Sequence, residues 1–418
     1  MLKGITPAEA LQIVLDHTPR LGAETIAFAD ARGRVLAEGV RSNRQLPPSD
    51  NSAMDGYAVR SADLGSASAE HPIALQVISE IPAGGSADRP LRAGEAARIF
   101  TGAPIPPDCD AVVRQEDTTR DGDRVEISVS PEPHTHIRDA GEDVDLGDQV
   151  LDAGARVGPA EIGMLASLGR TSVAVRQRPR VAILSGGDEL VEPDEDISGG
   201  RIVASNSYSI AAQCLDVGAE PLYLGIARDT PDDIEQRLRA GLSADVLVSS
   251  AGISVGDRDY VRGVLEKLGC SLLFWGVNMK PGYPLAFGRF EDGGGPLVFG
   301  LPGNPVSAMV TFEQFVRPAL RKMAGHRSLF RPSVRARLAE GMKKQAGRLH
   351  FVRVDLERDG DEIVARSTGS QSSGVLRSML LARGLLIFPA EASELREGDT
   401  ATVQILDEDF LAATTPAF

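Results

Sequence analysis

Apolar Leu11, Val14 and Leu15, spaced behind Thr6, Pro7 and Glu9, predict a short amphipathic helix. The hydroxyl caps it, the proline presets φ and the glutamate reaches back from three residues on. From about residue 50 to 140 the pattern changes to short β-like runs at 73–81, 96–100, 110–114 and 124–129, divided by Gly and Pro clusters. This stretch reads as a separate, mostly β unit. A second helix fits 159–168 and could pack back on the first. Between 179 and 325, strand-like runs at 180–184, 221–226, 245–249, 272–275, 285–289 and 296–300 alternate with helix-length segments at 207–217, 231–241, 258–268 and 304–323. That alternation predicts a doubly wound, mostly parallel α/β sheet. Beyond Arg331 the runs at 333–338, 350–356, 362–366, 384–388 and 400–405 predict a small β domain. The expected division is 1–46 with 144–178, then 47–143, 179–328 and 329–418.

Length and composition narrow the classes. At roughly 150 residues per domain, 418 residues imply several folded units, and 42% hydrophobic with 25% charged residues supplies ordinary globular cores. With 59 acidic against 44 basic side chains the net charge is −15, so a nucleic-acid or anionic-lipid partner is not expected. Cys109, Cys214 and Cys270 are odd in number and far apart, which fits neither a disulfide framework nor a CxxC metal site and points to a reducing cytoplasm. No run approaches the roughly 18 apolar residues that cross a bilayer, and Glu9 and Asp16 break up the N-terminus, so neither export nor membrane insertion is expected.

In an open α/β sheet, ligands sit beyond the carboxyl ends of the strands. The segments there are Ser185-Gly186-Gly187-Asp188-Glu189-Leu190, Arg228-Asp229, Ser249 to Asp259, and Leu301-Pro302-Gly303-Asn304-Pro305. Glycines let backbone N–H groups approach an oxyanion, and a carboxylate cluster gathers a hard cation such as Mg²⁺. Together they suggest a metal-assisted phosphate site, although each loop alone also reads as an ordinary capped turn. Neither GxxxxGK[ST] nor GxGxxG stands at a strand-to-helix junction, which disfavours a P-loop or dinucleotide enzyme. Lys280-Pro281-Gly282-Tyr283-Pro284 offers a point charge toward an anion, or a plain turn. His134 and His136 lack a third ligand, and no GxSxG elbow is present, so neither zinc nor a covalent hydrolase is assigned.

The runs Asp50-Asn51-Ser52-Ala53-Met54-Asp55-Gly56-Tyr57-Ala58-Val59-Arg60, Thr101-Gly102-Ala103-Pro104, Gly141-Glu142-Asp143, Gly187-Asp188-Glu189-Leu190, Ser254-Val255-Gly256 and Gly300-Leu301-Pro302-Gly303-Asn304-Pro305-Val306-Ser307-Ala308 closely resemble those of the molybdopterin molybdenumtransferases, MoeA, and of the E domain of gephyrin. The resemblance extends over nearly the whole chain and keeps motif order. It implies an elongated four-domain homodimer with a central domain like that of the molybdopterin adenylyltransferases. Flanking β-rich domains, a discontinuous linker and dimerisation domain over 1–46 and 144–178, and a C-terminal small β barrel complete the fold. The implied reaction inserts molybdate into adenylylated molybdopterin and releases AMP with the help of Mg²⁺. A molybdopterin adenylyltransferase and molybdoenzyme apoproteins are the further partners it suggests. An adenylyltransferase activity, or a non-catalytic scaffold as in gephyrin, stands as the alternative.

Carried over position by position, the resemblance makes Asp188, Glu189, Asp229 and Asp259 the metal-holding acidic group. Asp55, Asp143, Glu189 and Asp259 become the catalytic carboxylates, with Asp55, Thr101, Arg138 and Asp143 facing the acidic group from the second subunit. Gly252, Ser254, Gly256, Lys280, Pro302, Gly303 and Asn304 are the remaining implied substrate contacts. Arg348 to Arg353 and Ser370 to Ser373 would reach the pterin end. Two departures stand out: Tyr283 replaces a second lysine of a KPGKP run, and Gly276 replaces a lysine after the tryptophan, which leaves a less basic anion pocket.

Overall fold

The computed structural model describes residues 1–412 except 88, 251–259 and 292. The chain forms two compact units, one of Met1–Thr25, Gly33–Ala37 and Ala174–Phe418, the other of Ile26–Arg32 and Glu38–Val173.

The first unit is built on a seven-stranded sheet in the order Leu2–Ile5, Cys270–Val277, Ala286–Phe290, Leu297–Gly300, Val246–Ser249, Arg180–Gly186, Glu220–Ala227. All pairings are parallel except the two made by Ala286–Phe290. Both faces are covered, as the alternation of side chains along each strand demands. Val181, Ile183, Val246, Val248, Phe274, Phe287 and Phe299 face a core shared with helices Pro7–Asp16, Ser205–Asp216 and Pro305–Thr311. Leu184, Leu247, Cys270, Ala286 and Val298 face the other core, under Pro231–Gly241 and Tyr260–Lys267. The doubly wound, mostly parallel arrangement predicted for this region is the one found. The N-terminal helix carries its capping box: Glu9 N–H donates to Thr6 Oγ1 at 3.2 Å and Thr6 N–H to Glu9 Oε2 at 2.8 Å. With the strand before it, this helix packs on the α/β sheet, burying Ala10 and Val14.

The helix expected over 304–323 widens into a π turn at Phe312–Val316 before continuing as Arg317–Met323. Buried Glu313 lies in this turn and binds Arg331 Nε at 3.0 Å and Gln213 Nε2 at 3.0 Å, with Arg317 Nε at 3.8 Å. Past Arg331, the strands Leu349–Asp359, Glu362–Ser367, Ser333–Leu338, Thr400–Ile405 and Gly384–Phe388 close into a five-stranded barrel. Leu338, Val354, Leu356, Leu386, Phe388 and Val403 fill it. Met279–Lys280 leaves the α/β sheet to pair in parallel with Leu349–Asp359, in the register Met279 with Leu349 and Lys280 with His350.

The second unit is a six-stranded sheet in the order Ala111–Arg114, Gly56–Val59, Glu95–Ile99, Ile73–Ile81, Arg124–Ile127, Thr118–Asp121, with apolar cores on both faces. Gly56 is required where the first two of these strands meet, because a Cβ there would lie 1.9 Å from the Val113 carbonyl oxygen.

Candidate active site

At the carboxyl edge of the parallel strands a layer of buried hydroxyls underlies the loops. Ser185 Oγ bonds Ser207 Oγ and lies 3.3 Å from Ser250 Oγ. Above it, Gly187 adopts φ +145°, and a Cβ there would stand 2.7 Å from the Glu189 carboxylate, so the glycine makes room for that acid. Asp188 and Glu189 are exposed. The neighbouring loop is tied to them: Asp229 N–H donates to Asp188 Oδ1 at 3.2 Å. Asp233, which no motif singled out, holds that loop from below by accepting Arg228 N–H at 2.8 Å and Arg237 Nε at 3.1 Å. The Arg228 bond, more than the Arg237 bond and charge, keeps the Asp233 carboxyl below its ordinary range. Gly252, Ser254, Gly256 and Asp259 lie outside the described residues. Among the described residues no three acidic, His or Cys side chains gather as a metal site.

Lys280 belongs to a second grouping. A cavity of about 480 Å³ is lined by Lys280, Tyr283, Pro302, Asn304, Ser307 and Arg348, and closed by Gln371, Ser372 and Ser373 of the barrel. The Pro302-Gly303-Asn304 turn is fixed by Asn206 Nδ2, which donates to Gly303 O at 2.7 Å. The barrel loop is fixed at the same place, with Val306 N–H donating to Ser373 O at 3.1 Å. From beneath, Arg353, only 1% exposed, holds that loop. Its guanidinium donates to Ser378 Oγ at 3.2 Å and to Ser372 O at 3.3 Å, while its own N–H reaches Gln371 Oε1 at 3.0 Å. Burial pushes the Arg353 guanidinium down to about 10. A wider opening of about 970 Å³ adjoins and shares Lys280, Arg348 and Gln371, adding Lys343, Lys344 and Arg366. His350, on its wall, is pushed down to about 4, first by burial and then by Lys280, Lys344, Arg348 and Arg353. Lys280, Lys343, Lys344, Arg348 and Arg366 thus gather around these two openings, with Glu340 the one acid in their lining, in a chain of net charge −15.

In the other unit, three segments converge. Ser52 N–H donates to Ala103 O and Gly102 N–H to Ser52 O, while Ala53 N–H reaches His136 O, at 2.8–2.9 Å. This places Thr101 against Asp55: its N–H and its Oγ1 both donate to Asp55 Oδ1 at 2.8 Å. Those two bonds, the backbone one first, hold the Asp55 carboxyl below its usual range. Arg138 and Asp143 lie close by on a separate cavity of about 450 Å³, with Leu46, Pro47, Asn51 and Glu142. Asn51 pairs in register with Arg138, which sets that arginine at the cavity mouth. His134 and His136 have separate partners, Asp139 Oδ1 at 3.1 Å and Val112 O at 3.0 Å.

Residues 5–169 match the MoeA N-terminal region (domains I and II), 182–322 a probable molybdopterin binding domain, and 335–406 the MoeA C-terminal region (domain IV). Over 402 residues the chain is 38% identical to the molybdopterin molybdenumtransferase of Nostoc sp., spanning 94% of this chain and 92% of that protein. The chain belongs to the molybdopterin molybdenumtransferase family. The family member of Haemophilus influenzae is 36% identical over 91% of this chain and 93% of its own. A solved molybdopterin biosynthesis MoeA protein from Pyrococcus horikosii superposes with a TM-score of 0.83 at 31% identity, covering 96% of this chain and 99% of that one. The Asp55 run falls within the first matched region of the family, the Asp188 and Pro302 loops within the second, and Arg353 within the third. Asp233 escaped sequence reading because a lone polar residue carries no motif, and only its bond to the Arg228 backbone brings it to the site. Ser307 and Gln371 lay inside quoted runs, 300–308 and 370–373, without a role of their own.

Proposed function

We propose that this protein inserts molybdate into adenylylated molybdopterin, releasing AMP and the finished cofactor, as a Mg²⁺-dependent homodimer. The observation that carries the reading is the 480 Å³ cavity in which Lys280 and Arg348 are combined with the hydroxyls of Ser307, Ser372 and Ser373. A doubly charged tetrahedral oxyanion is recognised by such a set, because charge-assisted N–H and O–H donors satisfy its oxygens without a competing carboxylate. Pro302 and Asn304 border the same space and, with Gly303 between them, would orient the pterin substrate beside the oxyanion.

The acidic loops suit a hard cation. Asp188 and Asp229 sit on loops joined by a hydrogen bond, and Asp188 Oδ2 and both carboxylate oxygens of Asp229 make no hydrogen bond among the described residues. Asp188, Glu189, Asp229 and Asp259 would hold Mg²⁺, whose oxygen preference they match. When bound, the ion neutralises charge on the diphosphate and eases departure of AMP. Gly252, Ser254 and Gly256 would bind the nucleotide phosphate. Asp55, kept ionised by Thr101, and Asp143 would act as catalytic carboxylates from the second subunit, with Arg138 binding substrate. The substrate would be supplied by an adenylyltransferase, and the product passed to molybdoenzyme apoproteins.

The test mixes purified protein, adenylylated molybdopterin, Mg²⁺ and molybdate and follows AMP and cofactor. Wild type should form both, and Asp229→Ala should lower the rate by about a hundredfold or more. Absence of AMP with wild type, or an undiminished Asp229→Ala rate, would overturn the reading.

A further inference from the structure

The oxyanion cavity contains two cations and no carboxylate, and one of the cations is held there by an aromatic ring. The Arg348 guanidinium lies 4.7 Å from the centroid of Tyr283, within cation–π range. Tyr283 is itself fixed from three sides. Trp275 meets it edge-on, with ring centroids 5.7 Å apart at 87°. Its carbonyl accepts Val277 N–H at 2.8 Å and Leu285 N–H at 2.9 Å. Gly276, at φ +83°, leaves space for the ring: a Cβ there would come within 3.3 Å of the ring carbon Cζ and the hydroxyl. Arg348 is anchored from its own side, since the next residue, Leu349, donates its N–H to Asn278 O at 3.1 Å and pairs with Met279, one residue before Lys280.

The two places where this chain lacks an expected lysine, Gly276 and Tyr283, are therefore in contact and form one arrangement. We propose that Gly276, Tyr283 and Arg348 act as a unit in which Arg348, stacked on Tyr283, supplies the second cation of the oxyanion cavity and determines its affinity for molybdate. Arg348 contacts the oxyanion, and Tyr283 and Gly276 are positioning residues. A guanidinium held over a ring loses less freedom on binding than a free lysine and presents its N–H groups in a fork to two oxygens of a tetrahedral anion. The depressed basicity of His350 fits the same picture, since Arg348 is one of the cations that disfavour its protonation.

The inference rests on the molybdate-insertion reading, and the experiment separates the two. AMP release is measured against molybdate concentration at saturating pterin substrate, and against pterin concentration at saturating molybdate, with melting temperature recorded for each variant. Arg348→Ala should raise KM for molybdate about 10- to 100-fold, the range for losing a hydrogen bond to a charged group, and change KM for the pterin substrate by less than about threefold. Tyr283→Ala should raise KM for molybdate in the same direction although it removes no charge. Adding Tyr283→Lys to Arg348→Ala should recover most of the loss. If wild type responds saturably to molybdate and folded Arg348→Ala keeps the wild-type KM, the unit is overturned while the function stands. If wild type releases no AMP, the function itself fails.

Discussion

At the scale of single residues, hydrogen-bond geometry decides which acids stay charged. Asp55 takes two donors on one oxygen from Thr101, so its carboxyl is held below the ordinary range and the charged form is favoured. His350 shows the converse. Its ring is disfavoured as a cation by burial and four neighbouring positive groups, and its value falls from 6.5 to about 4. The folded state thus binds the His350 proton more weakly than the unfolded chain does. Between pH 6.5 and about 4 the unfolded state carries more of that proton, so this residue makes stability fall as pH falls through the window and contributes no pH dependence above it. Replacing His350 by Gln should flatten the acid side of the stability profile, leaving a smaller difference in urea midpoint between pH 7 and pH 5 than in wild type. An unchanged difference would show that His350 is not the group titrating.

At the scale of elements, patterns with strong periodicity were legible and local exceptions were not. The parallel strands 180–184, 245–249 and 296–300, read as apolar strand-like runs, are buried on both faces over 181–184, 246–249 and 296–300, which is why no alternation marks them. Ala286–Phe290 runs antiparallel because Lys280–Pro284 returns the chain directly, with no crossover helix, and apolar content alone carries no strand direction. The role of Leu2–Ile5 as a sheet edge was not legible either: only four residues long and half exposed, it has no periodic signature. Nor was the Met279–Lys280 pairing with the barrel, which fixes where Lys280 stands yet leaves no trace in composition. The π turn at Phe312–Val316 carries a similar hidden role, because it presents buried Glu313 to Arg331 at the start of the barrel. Removing one partner of a buried, hydrogen-bonded pair strands the other charge, a loss of about 3–5 kcal/mol. Glu313→Ala should therefore lower the unfolding midpoint sharply, whereas Glu80→Ala, which breaks an exposed pair with Arg120, should shift it by less than about 1 kcal/mol. Equal effects of the two would refute this ranking.

At the scale of the whole molecule, a chain of net charge −15 gathers Lys280, Lys343, Lys344, Arg348 and Arg366 around two adjoining cavities. Such a grouping favours an anionic substrate there against the general repulsion of the chain. The proposed homodimer adds a requirement that no single chain can meet. If each reaction centre combines Asp229 of one copy with Asp55 of the other, a dimer of one Asp55→Ala chain and one Asp229→Ala chain contains one centre with both carboxylates and one with neither. Two differently tagged chains, coexpressed and purified through both tags, give such dimers without the parents. They should recover about half the AMP-release rate of wild-type dimer, because closed two-fold symmetry creates two equivalent centres and the mixture restores one. Either mutant alone leaves both centres defective and should stay near background. If instead the two carboxylates act within one chain, every centre in the mixed dimer lacks one of them and the rate stays at the level of the parents. A recovered rate assigns the carboxylates to opposite subunits, and a background rate removes the shared centre while leaving the molybdate cavity around Lys280 and Arg348 untouched.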